Sequence, residues 1–147
     1  MSLSVAFQMD PIEAVNIDAD STFRLAQEAH ARGYKLHTYH PDQLFLDRGQ
    51  VFALARPFTL QRQFGRHVVL GDAVHLDLAT VDVLWMRQDP PFDMSYITTT
   101  HLLDFLDGQT LVVNNPFWVR NYPEKLLVQR FQEFTPPTVI ARDLSVL

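Results

Sequence analysis

The first 39 residues constrain the fold more than any other part of the chain. Ser4-Val5-Ala6-Phe7-Gln8-Met9 is a short apolar run of strand formers, broken by Asp10-Pro11. A polar loop follows from Glu13 to Asp20. Asp20-Ser21-Thr22 then offers N-cap side chains for a helix. In that helix Phe23, Ala26, Ala29 and His30 fall near one face, and Gly33 stands where a C-terminal glycine cap belongs. Tyr34 to Tyr39 alternates and reads as a second strand. Strand, helix and strand with short joints make a βαβ unit, whose strands lie parallel in one sheet.

The rest extends that pattern. Gln43 to Leu46 and Gln50 to Leu60 flank Asp47-Arg48-Gly49, a hairpin turn. Arg66 to Asp77 is apolar with polar interruptions and is read with the hairpin as a β-rich insertion. Val81 to Met86 is a buried strand that runs into Arg87-Gln88-Asp89-Pro90-Pro91-Phe92-Asp93. Asp93 or Ser95 can cap the next helix, whose apolar side carries Ile97, Leu102, Leu103 and Leu106, and Asp107-Gly108 closes it. Thr110 to Val113 is a short strand ending in Asn114-Asn115-Pro116. Phe117 to Arg120 predicts one helical turn, and Pro123 opens a helix running to about Glu133. Pro136-Pro137 ends it, and Thr138 to Ala141 predicts a last strand. The fold class is α/β, a mostly parallel doubly wound sheet with helices on both faces and a β-hairpin insertion.

Composition narrows the class of function. The chain has 147 residues, of which 47% are hydrophobic and 20% charged, a globular balance sufficient for one domain of ordinary size. Twelve Lys and Arg against 17 Asp and Glu leave a net charge of −5, and no dense basic run suits nucleic acid. With no cysteine there is no disulfide, thiolate metal site or thiol nucleophile. No apolar run approaches the roughly 20 residues of a membrane helix, and no signal peptide is apparent. A chain outside the membrane, in the cytoplasm, is expected.

Candidate chemistry gathers at strand ends, where open α/β sheets bind their ligands. The first strand delivers Asp10 and Pro11, the 81–86 strand delivers Arg87, Asp89 and Asp93, and the 110–113 strand delivers Asn114 and Asn115. These could line one rim. Arg87 offers a bidentate fork for a carboxylate or phosphate, unless it merely pairs with Asp89 or Asp93. No glycine-rich phosphate loop occurs, and Asp10, Glu13, Asp18 and Asp20 make the first loop better suited to an amino group or Mg²⁺ than to pyrophosphate. The six histidines show no metal-ligand spacing, since His37 and His40 fall on opposite faces of a strand. Ser21, Ser95 and Ser145 read as helix caps rather than nucleophiles. Phe117 and Trp118 cannot both face a core easily, so one is expected to meet a partner or another domain. Lys125 alone reads as a surface helix lysine.

Taken in order, Met9-Asp10-Pro11-Ile12, Asn16-Ile17, Asp20-Ser21-Thr22-Phe23, Met86 to Asp93, Val113-Asn114-Asn115-Pro116 and Arg120 to Leu126 resemble the N-terminal region of prokaryotic glutathione synthetase. The R-x-D-P-P-F-D run is the most specific of these. The resemblance spans essentially the whole chain and about the first half of that family's enzyme. It implies a Rossmann-like pre-ATP-grasp domain over residues 1–136, with residues 137–147 as the start of a truncated ATP-grasp domain. It also implies a ligase that joins γ-glutamylcysteine to glycine with ATP and Mg²⁺ through an acyl phosphate. The ATP-grasp part would hold most of the nucleotide and the metal. Arg87 would be the catalytic contact to a substrate carboxylate or the developing phosphate. Asp10, Pro11, Asn16, Ser21, Asp89, Asp93 and Asn114 would line the substrate side, and Lys125 would meet ATP. Gln88 and Asn115 stand where some members carry lysine. The resemblance further implies a homo-oligomer. A stand-alone amino-acid or peptide-binding module, and the N-terminal domain of another ATP-grasp ligase, are the alternatives, and the 147-residue chain alone is expected not to turn over.

Overall fold

The computed structural model describes residues 2–146; Met1 and Leu147, the last residue of the expected 137–147 segment, lie outside them. One eight-stranded sheet organises these residues. Its main path runs β3-β4-β2-β1-β7-β8, for strands β1 (Ser4–Gln8), β2 (Lys35–Tyr39), β3 (Leu44–Asp47), β4 (Gln50–Leu60), β7 (Val83–Met86) and β8 (Leu111–Val113). Strands β5 (Val68–Leu70) and β6 (Val74–Asp77) pair with β4. The neighbours β2, β1, β7 and β8 are mutually parallel, whereas every partner of β4 is antiparallel to it.

The hairpin turn forms as the sequence predicts. Asp47 pairs with Gln50, and the two loop residues Arg48 and Gly49 take φ of 50° and 84°. Positive φ at both positions matches the right-handed twist of the flanking strands. The stretch from Arg66 to Asp77 resolves into β5 and β6. Gly71 between them has a structural reason: a Cβ there would stand 2.8 Å from the Pro57 ring. Eleven residues long, β4 pairs through Ala53 with β3 and β6, and through Phe58 with β2 and β5.

Strand alternation divides the interior into two cores. Val5, Phe7 and Met9 point to one face, where α1 (Ser21–Ala31) buries Phe23, Ala26 and Ala29. Ala6, Leu84 and Met86 point to the other, where α2 (Met94–Leu103) and the turn after it bury Leu103 and Leu106. Helices therefore cover both faces. Their N-termini are capped by aspartates: Asp20 accepts from the Phe23 amide at 2.6 Å and Asp93 from the Tyr96 amide at 3.0 Å. The expected serine caps are corrected accordingly. Ser21 and Ser95 lie inside the first turn, and Ser145 donates to Asp143. The expected polar loop before α1 carries one buried anchor, Ile17, and Ile12 just ahead of it is a second.

The C-terminal third departs most from expectation. A short α3 (Pro116–Asn121) forms under an Asn115 cap, but the helix after Pro123 stops at α4 (Glu124–Leu127) and gives way to 3-10 turns at Val128–Arg130 and Gln132–Phe134. Leu126, Val128, Phe131 and Phe134 are 45–80% exposed, so this segment lacks the buried face that sustains a helix. Residues 138–141 form no strand, since no ladder partner lies beside them and Val139 and Ile140 stay exposed. Among the described residues, no helix is long and apolar enough to cross a membrane.

One buried polar atom makes stability depend on pH. His37 of β2 has Nδ1 buried without a hydrogen-bond partner among the described residues. Burial, and then the nearby Lys35 charge, lower its pKa from 6.5. The unfolded chain therefore takes up a proton near pH 6.5 that the folded chain resists. This contribution to stability is full above that pH and is lost as pH falls toward the lowered folded value. Urea midpoints followed from about pH 7.5 to about 5 should fall, and His37→Leu should flatten that fall; an unchanged slope in the variant would assign it to other groups.

Candidate functional site

The parallel order places β1 beside β7, with β2 following β1 outward on one side and β8 following β7 on the other. The space beyond the carboxyl ends of β1 and β7 is thus the topological switch point, the place where such sheets open a crevice. A cavity of about 380 Å³ lies there, lined by Asp10, Pro11, Asp20, Ser21, Arg87 and Asp89, among others.

Arg87 is fixed from two directions. Its amide donates to the Gln8 carbonyl at 2.8 Å, which carries the β1–β7 ladder one residue past the strand. Its guanidinium reaches the first turn of α1, where Nε donates to Thr22 Oγ1 at 3.0 Å and Nη2 to Ser21 Oγ at 2.8 Å. Among the described residues Arg87 makes no ion pair, so the expected alternative of pairing with Asp89 or Asp93 does not occur. A guanidinium has five N–H donors; less these two, three remain for a ligand. The N-terminus of α1 adds its own partial positive charge beside them. Asp10 and Asp89 bring carboxylates to the same cavity. A wall with a forked cation and two carboxylates suits a zwitterionic amino-acid head group: carboxylate on Arg87, ammonium on the aspartates.

The loop from β1 to α1 is anchored from beneath. His67, 6% exposed, donates through Nε2 to the Ile12 carbonyl at 2.7 Å and meets Phe23 edge-on at 5.5 Å between ring centres. Arg62 pairs with Asp18 at 3.2 Å across the surface. Asn16 stays outside the cavity lining. Its Oδ1 accepts from the Asp18 amide at 3.1 Å, so it shapes the loop. Asp93 is likewise engaged as the α2 cap.

The expected single rim is two cavities. A second, of about 560 Å³, opens between the start of α2 and the α3–α4 joint, lined by Gln88, Phe92, Tyr96, Asn114, Tyr122 and Lys125, among others. Three aromatic rings, two prolines and a valine share its lining with four polar or charged groups, the mixture usual in a small-molecule pocket. Burial raises the Tyr96 phenol, with Arg87 opposing and Asp89 assisting, so the hydroxyl is a neutral donor at ordinary pH. Asn114 donates to the Met86 carbonyl at 3.4 Å. The Lys125 ammonium lies on the Glu124 carboxylate, and both are solvent-exposed. A larger hollow of about 650 Å³ beside β8 contains Arg120, but that charge is already spent on Asp104 at 2.7 Å. Phe117 and Trp118 are 48% and 54% exposed, so both large rings of that turn reach solvent.

Three contributors were not singled out from the sequence as site groups: Thr22 beneath Arg87, Gln8 at the carboxyl end of β1, and His67 under the loop. Thr22 was hidden among cap residues. A polar side chain inside the apolar run at positions 4–9 was the available signal for Gln8.

The family model for the N-terminal domain of prokaryotic glutathione synthetase matches residues 3–120. The chain is 50% identical over 143 residues to a glutathione synthetase of Rhodopseudomonas palustris, covering 97% of the chain and 46% of that protein. It is 47% identical over 142 residues to the glutathione synthetase of Agrobacterium fabrum, covering 97% of the chain and 44% of that protein. The glutathione synthetase of Salmonella typhi is 34% identical over 146 residues, again with 46% of its length covered. The chain thus spans just under half the length of these relatives.

Proposed function

The chain belongs to the prokaryotic glutathione synthetase family, in its N-terminal domain, and from that premise we propose that it forms the substrate-facing wall of an ATP-dependent ligase. The reaction is the joining of γ-glutamylcysteine to glycine. ATP passes its terminal phosphoryl group to the cysteinyl carboxylate, leaving ADP. The glycine amine then attacks the acyl phosphate, the new amide forms and phosphate departs. The observation that carries this reading is Arg87, held by Ser21 and Thr22 with its charge unspent, in one cavity with Asp10 and Asp89. The γ-glutamyl end of the substrate is a free α-amino acid, which matches that wall in charge and in size.

Arg87 is the carboxylate clamp. Asp10 and Asp89 take the substrate ammonium, Pro11 shapes the loop they stand on, and Ser21 holds the clamp. Asn16 and Asp93 act by fixing the two loops. Asn114 and Lys125 belong to the second cavity, where Lys125 meets ATP phosphates. Mg²⁺ in such an enzyme neutralises and orients those phosphates. Among the described residues no three His, Asp or Glu side chains gather to hold an ion, so the donor set here does not fit it. ATP-grasp residues are proposed to carry the metal and most of the nucleotide. We further propose a cytoplasmic homo-oligomer, with the exposed Phe117-Trp118 turn and the β3–β4 hairpin as contact surfaces. Equilibrium sedimentation of the chain should show self-association that weakens in Trp118→Ser; a strict monomer overturns that part.

Two measurements test the main reading. The 147-residue chain, given γ-glutamylcysteine, glycine, ATP and Mg²⁺, should release no phosphate above background. Robust turnover would contradict the assignment of the phosphate chemistry to other residues. In an NMR titration with γ-glutamylcysteine, Arg87→Lys should bind roughly 10-fold or more weakly than the natural chain, because a point charge replaces a fork that hydrogen-bonds an ion. Equal affinity would remove Arg87 from the site.

A further inference from the structure

A buried polar chain crosses the sheet behind the second cavity. Gln8 ends β1, an interior strand of the parallel part of the sheet, and is 0% exposed; Tyr39, which ends the neighbouring β2, is 2% exposed. Tyr39 Oη donates to Gln8 Oε1 at 3.1 Å, and Gln8 Nε2 donates to Gln88 Oε1 at 2.5 Å. Gln88 in turn lines the aromatic cavity that holds Lys125.

The direction of this chain follows from donor counting. A phenol has one proton to give, and burying it without an acceptor costs about 1–3 kcal/mol. Burial raises the Tyr39 pKa far above its usual range, so that proton is always present. The acceptor it finds is the Gln8 carbonyl. With that carbonyl held, the Gln8 amide nitrogen must face Gln88, and it can only donate. Gln88 must therefore offer its carbonyl inward. Its NH₂ group, two donors with no acceptor among the described residues, is turned to the cavity.

We infer that Tyr39 and Gln8 act as positioning residues that lock Gln88 as a hydrogen-bond donor in the aromatic cavity, where its NH₂ binds an oxyanion of the ligand beside Lys125. The orientation stands on the hydrogen bonds alone; the choice of a phosphate oxyanion rests on the reading of Lys125 given above. A neutral amide serves there as a directional donor. Its orientation is set from inside the sheet rather than by solvent.

The experiment is NMR of the ¹⁵N-labelled chain, with Gln88→Ala used to assign the side-chain amide signals and sodium tripolyphosphate as the probe. In the natural chain the Gln8 NH₂ should exchange with water at least tenfold more slowly than the Gln88 NH₂. Tripolyphosphate should shift both the Gln88 NH₂ and the Lys125 side-chain signals. Tyr39→Phe frees the Gln8 amide to turn over. The Gln88 NH₂ signals should then double or broaden and tripolyphosphate affinity should drop at least threefold, while the backbone amides of β1 and β7 keep their positions. A Gln8 NH₂ that exchanges as fast as that of Gln88, or Gln88 signals unchanged in Tyr39→Phe, overturns the locked orientation. The exchange comparison needs only the natural chain, so it decides the matter even where the variant does not fold. A Lys125 response without a Gln88 response overturns the role of Gln88 and leaves the Lys125 reading intact; silence at both overturns the placement of phosphate in this cavity.

Discussion

The parallel pairing of β1 with β7 is the contact on which the rest of the molecule depends. It joins segments nearly 80 residues apart, with Val5 opposite Val83 and Gln8 opposite Met86. Because β1 is central, its alternate residues feed both cores: Phe7 goes under α1, and Ala6 goes toward α2. The same pairing creates the switch point. Without β7 beside it, β1 would deliver Asp10 to an open edge and Arg87 would have no α1 to lean on. The antiparallel strands around β4 extend the sheet from β2, on the side away from the cavities at the β7 end.

The electrostatics of the first cavity follow from what Arg87 is not bonded to. An arginine neutralised by Asp89 would spend its charge within the protein and offer little to a ligand. Hydroxyl acceptors fix the guanidinium plane while leaving the charge available. Thr22 is buried and Ser21 exposed, so one anchor is sheltered from water while the other stands at the mouth. The wall is built for binding and orientation.

Much of this was legible in the residues. The βαβ unit, the Asp47 to Gln50 hairpin, the Asp20 cap and the cluster after Met86 all announce themselves through alternation, capping side chains and turn residues, which are local signals. What failed was non-local. Residues 123–133 have the composition of a helix, but one with no face to bury against shortens to a single turn. Residues 138–141 have strand formers without a strand to pair with. The separation of one expected rim into two cavities had a local signal in the alternation past Met86, but what covers each side of the sheet there, α1 on one and α2 with the α3–α4 joint on the other, is set by non-local packing. Thr22 looked like a cap because Asp20, Ser21 and Thr22 are all competent caps; only the position of Arg87, 65 residues away, distinguishes them.

That separation has a consequence for how such a domain can change. Arg87 and Gln88 are consecutive, yet one leaves toward α1 and the other toward Gln8 on the opposite side. The end of β7 therefore acts as a distributor, assigning a cation to one cavity and an amide to the other by parity alone. Substitution at either position retunes a single cavity. Insertion or loss of one residue within β7 would instead exchange the chemistry of the two, sending the amide to the carboxylate wall and the cation into the aromatic hollow. The spacing between Val83 and Gln88 is thus as much a determinant of the site as the side chains it carries.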